Sequence, residues 1–166
     1  MPLKVLIIMG SDSDLEQITP AWKTLESLGV AYDVHVASAH RSPERVVSIA
    51  RRAREDGYGV VLAAAGGAAH LAGVLAAHTT LPVVAVPVVV GTLGGVDALL
   101  SAVQMPGGVP IASVGIGGAR NAGFFAAAIL SASDPALAQR LEAFRQEQAK
   151  NVEQADQRVQ TKLGRG

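Results

Sequence analysis

Apolar residues in this chain come in short blocks whose spacing switches repeatedly between a strand pattern and a helix pattern. The run Lys4-Val5-Leu6-Ile7-Ile8-Met9, closed by Gly10, reads as a strand buried on both faces. A helix is predicted over 14–28, ended by Gly29. Residues 31–37 alternate, with Val34 and Val36 on one side, and form a second strand. Residues 43–56 are helical, with Pro43 suited to a first turn. The pattern then repeats: a strand over 59–65, an Ala-rich helix over 67–77, a strand over 82–86 and a helix over 95–103. A fifth strand over 110–115 and a helix over 121–132 complete it.

Strand and helix therefore alternate with short connections, with no linker and no internal repeat. That order predicts an α/β fold for residues 1–133, one domain built as a three-layer αβα sandwich. Its core is an open parallel sheet of about five strands, flavodoxin- or Rossmann-like. Ligands in such sheets bind where the strands' carboxyl ends meet helix N-termini. The tail is different. Leu137, Leu141, Phe144, Gln148, Val152, Ala155, Val159 and Leu163 recur every three or four residues, a single helical stripe. At 1.5 Å per residue it runs about 40 Å, longer than a small domain is wide. Residues 134–166 are accordingly expected to be a C-terminal helical arm packing on a neighbouring subunit, with a half-solvated tail as the alternative.

Composition narrows the function. The 166 residues include no Cys, so disulfides, thiolate metal sites and a Cys nucleophile are excluded. Fourteen basic and 14 acidic residues cancel, which leaves no general basic face for nucleic acid. From 57 to 119, 63 residues, Asp97 is the only Asp, Glu, Lys or Arg. Pro82, Pro87, Pro106, Pro110 and many glycines cut this stretch into pieces shorter than the ~20 apolar residues of a membrane span. No membrane partner is expected; buried elements and subunit contacts are, hence a homo-oligomer. Met1-Pro2-Leu3-Lys4 runs straight into the first strand without a signal-peptide pattern, so a cytoplasmic location is expected.

Three loops at predicted strand ends carry chemistry. Gly10-Ser11-Asp12-Ser13-Asp14 offers hydroxyls and free backbone N–H groups for an anion or a sugar, and Asp14 could accept from ribose hydroxyls; ordinary N-capping explains the same residues. Ser38-Ala39-His40-Arg41-Ser42-Pro43 combines a planar fork for phosphate, Arg41, with a histidine, a side chain that exchanges protons near neutral pH. Ala65-Gly66-Gly67-Ala68-Ala69-His70 brings backbone close to a ligand, while His70 reads equally as a hydrogen-bonded core residue on an apolar helix. His35 and His78 have no partner in sequence and read as structural or surface residues. No His/Asp/Glu spacing suggests a metal. The Gly-rich run from Gly115 to Gly123 has the glycines of a dinucleotide fingerprint without its strand context or acidic residue.

Taken in series, these loops resemble the N5-carboxyaminoimidazole ribonucleotide mutase family of purine biosynthesis. The resemblance is carried by Met9-Gly10-Ser11-Asp12-Ser13-Asp14, Ser38-Ala39-His40-Arg41-Ser42-Pro43 and Ala65-Gly66-Gly67-Ala68-Ala69-His70-Leu71. It is also carried by the stretches from Leu81 to Val88 and from Gly95 to Pro106, and it covers about residues 4–132. Leu15, Ser42 and Ala72 depart from the family's usual Trp, Thr and Pro, and the loop at Gly117-Gly118-Ala119-Arg120 is shorter and gains an Arg. A related subclass that carboxylates the aminoimidazole directly with CO₂ tends to have Lys at position 41 and to lack the Gly-Gly-Ala-Ala-His run. The resemblance implies a small-molecule ribonucleotide substrate, no cofactor, no metal and an octamer. It implies His40 as catalytic proton shuttle, Ser13, Ser38 and Arg41 on the 5′-phosphate, and Asp14 on the ribose. Ser11, Gly66, Gly67, Ala68 and His70 would face the base and carboxylate, with Ala39 beside them. A differently catalytic or non-catalytic nucleotide-binding domain of flavodoxin type is the alternative, and it leaves His40 beside Arg41 without a role.

Overall fold

The structure, a computed structural model, describes residues 3–164; the expectation at Met1-Pro2 and the last two residues of the arm lie outside it. In chain order the elements are β1 (Lys4–Met9), α1 (Leu15–Ser27), β2 (Tyr32–Val36), α2 (Pro43–Arg52), β3 (Tyr58–Ala65) and α3 (Leu71–His78). They continue with β4 (Val83–Pro87), α4 (Val96–Val103), β5 (Ala112–Ser113), α5 (Ala119–Ser131) and α6 (Pro135–Lys162). The five strands form one sheet in the order β2-β1-β3-β4-β5, and every pair is parallel. The parallel sheet agrees with the alternation of strands and helices, and its order is the flavodoxin-like one of the two types the sequence left open.

Because strand side chains alternate between faces, the apolar runs feed two cores at once. Val5, Ile7 and Met9, with Val60, Leu62, Val84 and Val86, pack against α1 and α5 on one face. Leu6 and Ile8, with Val61, Ala63, Val83 and Ala85, pack against α2, α3 and the inner side of α4 on the other. That double burial explains why β1 and β3 carry no polar alternation.

Several boundaries differ from the sequence pattern: α2 ends at Arg52 rather than at 56, α5 starts at Ala119 rather than at 121, and three further differences have local causes. A single 3-10 turn, Asp12–Asp14, precedes α1. The α3 helix starts at Leu71 rather than at 67, because Gly67 takes φ +60° and the segment through His70 stays a loop. The fifth strand keeps regular pairing only at Ala112–Ser113. Beyond it the chain still follows β4, with Val114 N–H donating to Ala85 O at 3.1 Å and Gly117 N–H to Pro87 O at 3.0 Å. An edge segment broken by Gly115 and by Gly117, which has φ +67°, cannot hold a longer ladder.

The α6 helix is capped by Asp134, whose carboxylate accepts from Leu137 N–H at 3.0 Å. Its first turns belong to this chain's own core. Leu137 is buried, Phe144 lies 4.4 Å from Phe124 ring to ring, and Arg140 Nε donates to Leu28 O at 2.7 Å. Past Gln148 the helix leaves the body, and Val152 and Val159 are 70% and 51% exposed.

The closest helix contact sets a prediction. A Cβ on Gly123 would lie 2.5 Å from Ala21 O and 2.9 Å from Thr24 Cβ, so α1 and α5 touch backbone to backbone. Alanine normally gains about 1 kcal/mol over glycine inside a helix. Here a carbonyl cannot give way, and overpacking of about 1–3 kcal/mol is the larger effect. Gly123→Ala is expected to lower the urea midpoint; a midpoint unchanged or raised would show that the two helices separate freely.

Candidate active site

The direction in which successive strands are added to the sheet reverses between β1 and β3, and the loops leaving β1, β2 and β3 meet around a cavity of about 300 Å³ at the carboxyl edge of the sheet. The first two loops are locked by their own side chains. In the first, Asp14 Oδ2 accepts from Ser11 N–H at 3.2 Å while Ser11 Oγ accepts from Ser13 N–H at 3.3 Å, a reciprocal cap. The Ser13 hydroxyl donates to Ser11 Oγ at 2.9 Å and approaches Asp14 Oδ1 at 3.4 Å. Asp14 thus fills the capping role, and since a carboxylate accepts about four hydrogen bonds it keeps capacity for a ligand. It is one of two buried polar residues among those described. Burial pushes its pKa up, opposed by the Ser11 N–H, the Ser13 hydroxyl and the Arg41 charge.

In the second loop Ser42 Oγ accepts from Ser38 N–H at 3.0 Å and donates to Ser38 O at 3.1 Å, closing the turn that starts α2. Ser38 Oγ accepts from Arg41 N–H at 3.2 Å, and Arg41 Nη2 donates to Gly10 O at 3.0 Å. The guanidinium is therefore anchored to the end of β1. It retains free N–H donors, since it has five in all.

The third loop supplies the partner for His40. His40 Nε2 and His70 Nδ1 are 2.8 Å apart, with the rings 4.8 Å apart and nearly perpendicular at 84°. A hydrogen bond between two imidazole nitrogens exists only while one carries the proton and the other does not. His70 is exposed at the N-terminal boundary of α3, so it is a cavity residue rather than a core one.

Of the residues singled out in the sequence, all but Gly67 line this cavity. Gly67 instead makes the turn, at φ +60°, that brings Ala68 and His70 back toward it. His35 lies in β2 and His78 ends α3, and neither lines it. Gly10, Ala65 and Leu71 also line it; they belong to the loops singled out in the sequence but have no role assigned there, whereas the sequence reading missed Val90 altogether. Val90 belongs to the loop after β4, where the Gly91, Gly94 and Gly95 cluster marks another strand end. No group of three or more His, Asp or Glu is placed to hold a metal among the described residues. No helix among them is long and apolar enough to cross a membrane. A larger cavity, about 520 Å³, lies between α5 and α6 among Phe124, Leu141 and Phe144, with no comparable convergence of histidine, arginine and serine.

Known proteins resemble this chain along most of its length. The profile of the AIR carboxylase family matches residues 4–151. A Bacillus subtilis protein named N5-carboxyaminoimidazole ribonucleotide mutase is 53% identical over 156 residues, covering 92% of this chain and 96% of its own. A Thermotoga maritima protein of the same name is 46% identical over 157 residues, covering 95% and 92%. Among solved structures, Treponema denticola PurE superposes with a TM-score of 0.86 at 27% identity, covering 93% of this chain and 97% of its own.

The buried carboxylate predicts a pH effect. With its folded pKa raised, Asp14 holds its proton more tightly in the folded than in the unfolded chain. Stability then falls as pH rises from the ordinary carboxylate value through the raised one, and stays lowered above it. Asp14→Asn keeps an oxygen for Ser11 N–H and cannot ionise. It is expected to melt at a higher temperature than the parent at neutral pH, with the gap closing in acid. A lower melting temperature at neutral pH would show that the hydrogen bonds to the charged form outweigh burial.

Proposed function

The chain belongs to the AIR carboxylase family, and from that premise we propose that it is a mutase for N5-carboxyaminoimidazole ribonucleotide in de novo purine biosynthesis. The reaction moves a carboxylate from the exocyclic nitrogen to ring carbon C4. The observation that carries this reading is one small cavity joining a histidine pair to Arg41 and two serine-rich loops.

The chemistry needs few groups. His40 protonates the carbamate nitrogen, the C–N bond breaks and CO₂ is released. The remaining aminoimidazole is an enamine, nucleophilic at C4, and it recaptures CO₂ before the gas escapes. His40 then takes the proton from C4 and aromaticity returns. The proton lent in the first step comes back in the last, so a single group serves as acid and base. His70, bonded to His40 at 2.8 Å, holds the ring and its proton in place. Arg41, Ser13 and Ser38 take the 5′-phosphate and Asp14 takes the ribose. Ser11 and the backbone of Gly66 and Ala68 face the base and the carboxylate, with Ala39 beside them. Enclosure does the rest, since a trapped molecule reacts at a high effective concentration.

The proposed setting is the cytoplasm, as a homo-octamer without nucleic-acid or membrane partners. Two surfaces favour assembly. The outer face of α4 exposes Val96, Leu100 and Val103 at about half their area each. The distal part of α6 carries its apolar stripe into solvent, as a helical arm would before docking on a neighbouring subunit.

Two experiments test the proposal. With the carbamate as substrate, His40→Asn is expected to fold and bind normally but to lose at least ~10²-fold in turnover. Near-normal turnover would remove His40 from the role, and a parent protein that only carboxylates the free aminoimidazole with CO₂ would overturn the mutase assignment. A chain ended after Gln148 keeps Leu137 and Phe144, and is expected by light scattering to form a smaller assembly with reduced activity. A full-size, fully active assembly would show that the arm is dispensable.

A further inference from the structure

The cavity has a wall that none of the three site loops supplies. Val90, just past β4, rests on Gly66 so closely that a Cβ there would lie 2.3 Å from Val90 Cγ2. The segment that carries Val90 has little to hold it. Gly91, Gly94 and Gly95 follow with φ of 67°, 59° and 88°, and Val89 and Leu93 are 44% and 63% exposed. What ties it down is Gln17, on the first turn of α1. Gln17 Nε2 donates to Val89 O at 3.1 Å, and Gln17 Oε1 accepts from Val89 N–H at 2.9 Å. One planar amide thus satisfies both backbone groups of a single residue, which needs a donor and an acceptor side by side. Gln17 itself does not line the cavity.

We propose that Gln17 is a positioning residue for carboxylate transfer: by clamping Val89 it holds Val90 down on Gly66 and closes the compartment that retains CO₂. The inference rests on the mutase reading above. Between breaking the C–N bond and forming the C–C bond, CO₂ is a small neutral molecule with no charge for Arg41 or the histidines to grip. Only the walls keep it beside C4. An open wall diverts the reaction to free CO₂ and decarboxylated aminoimidazole ribonucleotide: the nitrogen keeps the proton from His40, C4 keeps its own hydrogen, and His40 takes a replacement proton from solvent.

The test uses the full-length protein and a substrate isotopically labelled at its carboxylate carbon, in buffer holding unlabelled bicarbonate. The readouts are label retained in the product and the share of decarboxylated by-product. Gln17→Ala is expected to raise that share about tenfold, the scale set by losing two ordinary hydrogen bonds that keep the loop closed. Amide hydrogen exchange over 89–95 is expected to speed up alongside. Gln17→Glu keeps the acceptor for Val89 N–H and loses the donor to Val89 O, so its leak falls between the two. Val90→Ala opens the wall directly, and adding Gln17→Ala to it is expected to cause no further leak, because both act through one contact. Parent-like label retention in Gln17→Ala while Val90→Ala leaks would overturn the proposal. So would independent, additive leaks from the two changes, or unchanged exchange over 89–95. A parent protein that does not convert the carbamate at all would instead sink the mutase reading, a separate and recognisable result.

Discussion

The reversal of winding order between β1 and β3, two parallel neighbours, is the constraint on which the rest of the site depends. The chain steps outward from β1 to β2, then crosses back to lay β3 on the other side of β1. Helices leaving the two sides go to opposite faces of the sheet, so a crevice opens at the strands' carboxyl ends. Loops that are about 30 residues apart in sequence are thereby brought within hydrogen-bond reach. The register is held by buried apolar residues on both faces of β1, where a slip of one residue would exchange the two cores.

Within the crevice, charge is balanced before any substrate arrives. Asp14 is buried at a cost, and the Arg41 guanidinium, bound to the Gly10 carbonyl, offsets part of it. Ser11, Ser38 and Ser42 each hold backbone in place through hydrogen bonds to their own loop. A ligand meets donors that are already oriented, and little ordering remains to oppose binding. The histidine pair follows the same logic, since each ring fixes the other.

The long apolar middle of the chain divides cleanly. β3, β4 and the inner face of α3 are buried within one subunit and need no partner. The excess is concentrated on α4 and on the loop before it, where Val89, Leu93, Val96 and Leu100 remain exposed. That loop also carries Val90 into the site. Exposed apolar side chains and a wall of the cavity are therefore parts of one short, glycine-rich segment.

Local pattern was enough to read the strands, most helices and the chemical loops. Continuous apolar runs, Gly stops and the His40-Arg41 pair are encoded over a few neighbouring residues, and alternation alone led to the parallel sheet. The arm's length was equally plain from its three-and-four spacing. The tertiary structure decided the rest. Short β5 reflects an edge position that its apolar composition does not reveal, and the late start of α3 reflects one positive φ at Gly67. His70 read as easily as a core residue as a ligand contact until β1 and β3 brought its loop against His40. Gln17, to all appearance an ordinary polar helix residue, meets Val89 across 72 residues of sequence, and Val90 comes to rest on Gly66; neither contact is legible along the chain. Periodicity and propensity act along the chain and can be read there; which side chains meet depends on strand order and register, which the packed core as a whole selects.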